Sequence, residues 1–183
     1  KQLVALTKPT ESLFDLSKDP MEFNDLANDP SMMGELTRLR AVHDQWMREV
    51  MDVGLIPEAI MRNWEERNDQ SIYKWVRTQE DFYDELLLIS STVDENILFK
   101  GLNHYNEAVR YWAAQGLYNL DKKIKEATIK LLNQKLNDSI INVGISAARA
   151  LLKHDSYSKK LMKVLSSGLK AENEWTRLQT ALV

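Results

Sequence analysis

The chain of 183 residues has room for one medium domain or two small ones, and its 44% apolar side chains can supply a packed core, which excludes disorder by composition. A balance of 24 basic against 27 acidic residues, with no basic run, lacks the electrostatic footprint of a nucleic-acid binder. The longest apolar stretch, near Leu86-Leu87-Leu88-Ile89, falls far short of the ~20 residues that span a bilayer, and the absence of cysteine removes disulfides, thiolate metal sites and cysteine nucleophiles.

Residues 1–30 carry the densest turn signals. Residues 2–6 and 12–16 read as two short strands separated by Lys8-Pro9-Thr10-Glu11. Two strands alone are marginal, so they are expected to complete a sheet whose other strands lie elsewhere. Asp19-Pro20 and Asp29-Pro30 each favour a turn or a helix start. Asp29 fits an N-cap and Pro30 the first helical position. Met32, Leu36, Leu39, Trp46 and Val50 then build one apolar face, and Gly54 is expected to end the helix. Pro57 opens a second, short helix through Ile60, Met61 and Trp64, and residues 68–71 form a polar break. From about residue 71 the chain reads as helix after helix, with turns near Asp94, 103–106, Asp121, 137–139, 155–158 and 171–173. Lys1 opens without a methionine or a signal peptide, and Ala181-Leu182-Val183 stops within a pattern. The chain is therefore expected to be an excerpt from a longer polypeptide.

Short, regular helices call for a comparison of the chain with itself. A shift of 34 pairs Leu98 with Leu132, Leu102 with Leu136, Asn103 with Asn137, Val109 with Val143, Ala113-Ala114 with Ala147-Ala148, and Leu117 with Leu151. A fainter third copy sets Leu165 and Leu169 under Leu132 and Leu136. Each unit is a helix, a polar turn and an alanine-rich helix whose small side chains allow close stacking. Leu102, Val109, Ala113, Leu117, Leu136, Val143, Ala147 and Leu151 are the expected core.

Two stretches resemble known families. Val109-Arg110-Tyr111-Trp112-Ala113-Ala114-Gln115-Gly116-Leu117 resembles the V-R-x-x-A-A-x-x-L inner helix of HEAT-like repeats, and Val143 to Leu151 repeats it with Gly144 where arginine is usual. The period also suits tetratricopeptide repeats, but their Trp-x-x-Leu-Gly-x-x-Tyr signature fails at Gln115 and Asn119. Earlier, Leu13-Phe14-Asp15-Leu16-Ser17-Lys18-Asp19-Pro20-Met21-Glu22-Phe23-Asn24-Asp25-Leu26-Ala27 resembles the L-Y-D-L-x-x-D-P-x-E-x-x-N-L-A segment near the C-terminus of many bacterial sulfatases. Phe14 replaces tyrosine there, and Asp25 stands where asparagine is common. Trp46, Pro57 and Glu58 match as well. The implied organisation is mainly α. A strand-containing sulfatase C-terminal segment covers residues 1–67, followed over 71–183 by a HEAT-like helical repeat array, an α-α superhelix whose last repeat is truncated.

The sulfatase family hydrolyses sulfate esters with a formylglycine made in a C/S-x-P-x-R motif and binds a divalent metal, usually calcium. None of Pro9, Pro20, Pro30 or Pro57 sits in such a motif, so the resemblance implies a parent sulfatase whose cofactors belong to another part of the polypeptide. This chain is then expected to have no catalytic, metal or cofactor site of its own. Its own N-terminal catalytic domain is the implied partner, with another protein or a sulfated glycan as a further one, and neither nucleic acid nor membrane. The implied location is periplasmic or secreted. A stand-alone HEAT-like protein-binding scaffold is the alternative, and a nucleic-acid-binding repeat a third that the acidic balance disfavours.

Among single residues, Asp15, Asp19, Glu22 and Asn24 suit turn building, through side chains that accept from nearby backbone N–H groups, better than a calcium cage of 6–8 oxygens. With Phe14, Leu16, Pro20, Leu26, Trp46, Pro57 and Glu58 they form the structural set of the motif. His43 is expected half-buried on the apolar face beside Trp46. His104 and His154 fall at helix ends, where a cation favours the dipole. Glu65-Glu66 and Asp94-Glu95 read as solvated surface, and no serine stands in a nucleophile context. Tyr105, Arg110, Tyr111 and Trp112 are the best candidates for an interaction surface, though such residues more often pack against a neighbouring repeat.

Overall fold

The computed structural model describes residue 9, residues 11–79 and residues 82–183. The chain divides into two compact units, Lys1–Val50 and Met51–Val183.

In the first unit an irregular segment leads into one long helix. The strand expected over 2–6 lies outside the described residues, and the strand expected over 12–16 does not form; no strand occurs among the described residues. The reason is local. The Leu13 carbonyl accepts from Leu26 N at 2.7 Å and the Leu13 amide donates to Asp25 Oδ1 at 3.0 Å, so the groups a ladder would use are spent inside the loop. Asp29 caps the 3-10 turn Pro30–Met32 by accepting from Ser31 N at 2.8 Å, and the turn feeds α1, Met33–Val50. Leu36 is buried on α1, but Leu39, Val42 and Trp46 remain exposed. The helix stops at Val50 because Met51 turns left-handed at φ 49°, a conformation that costs a side-chain-bearing residue roughly 1–2 kcal/mol. Gly54, the expected terminator, sits instead within the 3-10 turn Val53–Leu55.

The second unit is a stack of helices. It runs α2 (Glu58–Asn68), α3 (Ile72–Val76), α4 (Tyr83–Ser91), α5 (Glu95–Gly101), α6 (Glu107–Asn119), α7 (Glu126–Lys135), α8 (Ile141–Lys153), α9 (Lys159–Gly168) and α10 (Glu174–Ala181). Polar residues start the helices where the turns were expected. Asp94 caps α5, Asn106 caps α6, Ser158 caps α9 and Asn173 caps α10, each by accepting from a first-turn N–H. Helix α6 lies between α4 and α8, and α8 between α6 and α10. Helices α5, α7 and α9 form the second layer, each packed on α6 or α8. Trp64 of α2 joins the same core, with its ring 4.2 Å from that of Trp75 and edge-on to Phe82. Helix α2 therefore belongs to the second unit, which begins at Met51.

All eight residues expected as the repeat core are buried, and burial of a leucine or valine of this kind is worth roughly 1.5–3 kcal/mol. The small residues set how closely the layers approach. A Cβ placed on Gly101 would come within 2.6 Å of Ile89 and 3.1 Å of Ala113, so α5 can lie this close to α4 and α6 only without a side chain there.

Candidate functional site

The motif segment builds a run of turns from carboxylates. Asp15 accepts from Ser17 N at 3.1 Å and Ser17 Oγ at 2.5 Å through one oxygen and pairs with Lys18 through the other at 2.9 Å. The Ser17 hydroxyl, then Lys18, hold its carboxyl down at about 2. Asp19 accepts from Asn24 N at 2.7 Å, with Glu22 in the left-handed region at φ 56° between them. Asp25 ties two stretches together, accepting from Leu13 N and Ala27 N, both at 3.0 Å. Only its Oδ1 is used for these two bonds, and asparagine has the same acceptor, which explains how Asp25 can stand where asparagine is common. Asp15, Asp19, Glu22 and Asn24 do not converge on one point. Among the described residues no group of three or more His, Asp or Glu side chains does.

Around these turns, apolar side chains of the first unit face outward. Leu16, Met21 and Phe23 are exposed, the last at 84%, as are Leu39, Val42 and Trp46 of α1, the last at 51%. Phe14 and Leu26 are half-buried, and Pro20 is exposed. His43 does not have the burial expected of it. Its side chain is 66% exposed, with its ring 6.4 Å from that of Trp46, because the helix face it occupies is itself uncovered.

In the second unit Pro57 stands at the N-cap of α2 and Glu58 in its first turn, paired with Arg62 at 3.0 Å. The four residues expected to form one interaction surface separate. Arg110 is buried. Its Nε and Nη2 bind the two oxygens of Asp138, each at 2.8 Å, and its Nη1 donates to the His104 and Tyr105 carbonyls. It thus joins one helix pair to the next, the packing role weighed above. Trp112 donates from Nε1 to the Leu55 carbonyl at 2.5 Å, and Tyr111 packs edge-on against it. Tyr105 remains exposed and stacks on His104 with centroids 4.4 Å apart.

Arg177 of α10 repeats the bonding of Arg110, which the leucine pattern did not reveal. Its Nη1 donates to the Ala171 and Glu172 carbonyls at 2.7 and 2.6 Å, the same six- and five-residue back-reach that Arg110 makes. At the intermediate position stands Gly144, and α8 reaches α10 by another route. Asn142 donates to Gln179 Oε1 at 2.7 Å, and Gln179 returns bonds to Asn142 O and Ser146 Oγ at 3.0 Å each.

Two further side chains depart from the sequence reading. Glu95 is buried rather than solvated, accepting from Lys125 N at 2.8 Å and Thr128 Oγ1 at 2.6 Å, and so caps α7 from the preceding helix pair. Burial raises its pKa, but these two bonds outweigh that and hold the carboxyl below its usual range. No short-range signal marks this role, since donor and acceptor are about thirty residues apart. His104, read as a helix-end cation, has its pKa lowered by burial, and its Nδ1 accepts from Asn106 N at 3.1 Å, the bonding of a neutral ring.

Beside Tyr105 a cavity of about 270 Å³ is lined by Trp64, Trp75, Arg67 and Glu107. Its charges are spent on each other, for Glu107 accepts from Trp64 Nε1 at 2.5 Å and Arg67 at 2.7 Å. A second groove, of about 230 Å³, runs along Tyr111, Arg149 and Trp175.

A stretch of 67 residues, 36% of this chain, is 37% identical to an ulvan-active sulfatase of Formosa agariphila, of which it covers 11%. The chain thus contains a sulfatase-related region and spans a small part of that relative's length. No protein-family model matches the chain, and no solved structure matches it significantly. Among the described residues no helix is long and apolar enough to cross a membrane.

Proposed function

We propose that this chain is a non-catalytic accessory region of a sulfatase-type hydrolase acting on sulfuric esters, exported to the periplasm or beyond. Its motif segment and α1 seat on the catalytic domain of the same polypeptide, which holds the formylglycine and calcium that the resemblance implies. The helices after it form a HEAT-like repeat array that braces the enzyme and carries interaction surface of its own. The observation that carries this reading is the outward-facing apolar set Leu16, Phe23, Leu39, Val42 and Trp46. We take these exposed side chains, which lie in and after the segment that resembles sulfatases, as the part of the chain that another body covers. The turn-building carboxylates keep that surface in shape without any chemistry of their own.

The test is made in the parent polypeptide. Trp46→Asp combined with Leu39→Asp should lower the thermal midpoint of the catalytic domain and its sulfate-ester turnover, while leaving the helical content of the isolated 183-residue chain unchanged. Unchanged parent stability and turnover would refute the bracing role. Hydrolysis of aryl sulfates or sulfated sugars by the isolated chain, above a heat-treated control, would refute its non-catalytic character.

A further inference from the structure

We infer that the groove between the start of α2 and helices α6, α8 and α10 binds an anionic saccharide, with Trp175 as platform for the sugar ring and Arg149 as counter-charge for its sulfate or carboxylate. The inference rests on the polar groups the groove leaves unspent. Arg149 extends from α8 and stacks over Tyr118, its guanidinium carbon 4.2 Å from the ring centroid. No carboxylate among the described residues pairs with it, in a chain where Arg38, Arg40, Arg62, Arg67 and Arg110 all have one. Stacking fixes the guanidinium plane and leaves its N–H edge as a planar fork, the geometry that receives a sulfate or carboxylate through two parallel hydrogen bonds. Trp175, in the first turn of α10, is 40% exposed on the same groove.

Two of the other polar lining groups are already engaged: Gln179 is held by Asn142 and Ser146, and Glu58 is paired with Arg62. What remains open is a cationic fork and an aromatic face, which together select a ligand with an acceptor-rich anionic group beside a flat C–H surface. A pyranose carrying a sulfate or a carboxylate has both. An acidic peptide has the charge without the flat apolar face that Trp175 and Leu178 offer. The inference deepens the reading above by naming a ligand class, but the site lies wholly within the second unit and does not need the catalytic domain to be docked.

The experiment titrates the isolated chain by calorimetry, and by NMR of the tryptophan indole N–H signals, with four probes: a sulfated oligosaccharide, its desulfated counterpart, a uronate-bearing oligosaccharide and a short poly-glutamate peptide. Either the sulfated or the uronate sugar should bind and shift the Trp175 indole signal, identified by its loss in Trp175→Phe. Arg149→Gln should weaken binding roughly tenfold or more, the worth of one charged hydrogen-bonding contact. Arg149→Lys, which keeps the charge without the fork, should fall between, and Trp175→Ala should weaken binding at unchanged melting temperature. Equal binding of the desulfated sugar, equal binding of poly-glutamate, no binding of either anionic sugar, or indifference to both the Arg149 and Trp175 variants would each overturn the inference. A failed bracing test in the parent enzyme would leave this result as it stands, so the two ideas fail separately.

Discussion

The two units of the chain solve the same problem with different means. In the second, leucines and alanines of successive helix pairs bury one another, and the polar groups that enter the core are matched across helices, as Arg110 with Asp138 and Asn142 with Gln179. In the first, the described residues bury little. Their shape comes from side-chain carboxylates accepting from backbone N–H groups a few residues away, at Asp15, Asp19, Asp25 and Asp29. The contrast shows that local hydrogen bonding can specify a conformation without covering apolar surface, and that only interhelical packing does both. A segment of the first kind is suited to presenting a face, one of the second to standing alone.

The largest effect expected from this contrast is at the buried ion pair. Asp138→Ala leaves the Arg110 fork without its acceptor in a nearly dry site, and should destabilise the second unit by about 3–5 kcal/mol, read from urea denaturation. A loss below about 1 kcal/mol, the range of a surface pair, would mean that water reaches the pair and that the two units are less different than described. Next is Ala113→Leu, which forces volume between α6 and α5 where Gly101 already marks a tight approach, at a cost of about 1–3 kcal/mol. A neutral result there would show slack in the stack.

A smaller effect separates the units under native conditions. Amide exchange should be faster over 13–27 than over 113–117, because opening free energies are low where few apolar contacts hold the backbone. Equal protection in a monomer would erase the distinction. Within the 13–27 segment, Asp25→Ala should release the Leu13 and Ala27 amides, while Asp25→Asn, with the same Oδ1 acceptor, should keep them.

Acid gives the finest discrimination. The Asp15 carboxyl lies at about 2 against an ordinary 3.8, and Asp25 and Asp29 are shifted in the same direction, Asp25 by the Leu13 and Ala27 amides and Asp29 by Ser31. Because the folded-state values are depressed, the stabilisation these groups give is complete above about 3.8 and is lost as pH falls through the folded values toward about 2. Amide protection over 13–31 should decline through that window and be unchanged between pH 5 and 7. A decline centred near neutral pH would assign the turns to some other group.

Much of the helical stack was legible from the residues. Identities at a spacing of 34 placed the core, and Asp94, Asn106, Ser158 and Asn173 announced helix starts because a capping side chain acts on its own first turn. The kinship of α10 with α6 was harder to see, since Arg177 and Asn173 keep the bonding while buried Thr176 and Thr180 stand where α6 has apolar residues. The candidate site was legible only in pieces. Arg110, Tyr111 and Trp112 are adjacent in sequence, yet on a helix neighbours diverge, so one went to Asp138, one to the groove and one to Leu55.

What the sequence by itself determined is everything that depends on spacing along the chain: helix periodicity, caps, turns and the run of carboxylates from Asp15 to Asp29. Only the tertiary structure decided which groups are spent and which remain open. Residues 12–16 had the composition of a strand, and Asp25 took the hydrogen bond a ladder needs. Glu95 had the composition of surface, and the N-terminus of α7 came to rest upon it. Packing alone set Arg149 over Tyr118 without a carboxylate partner among the described residues. Propensity is a property of neighbours in sequence, whereas pairing and burial depend on residues about thirty positions away, and no local pattern encodes them.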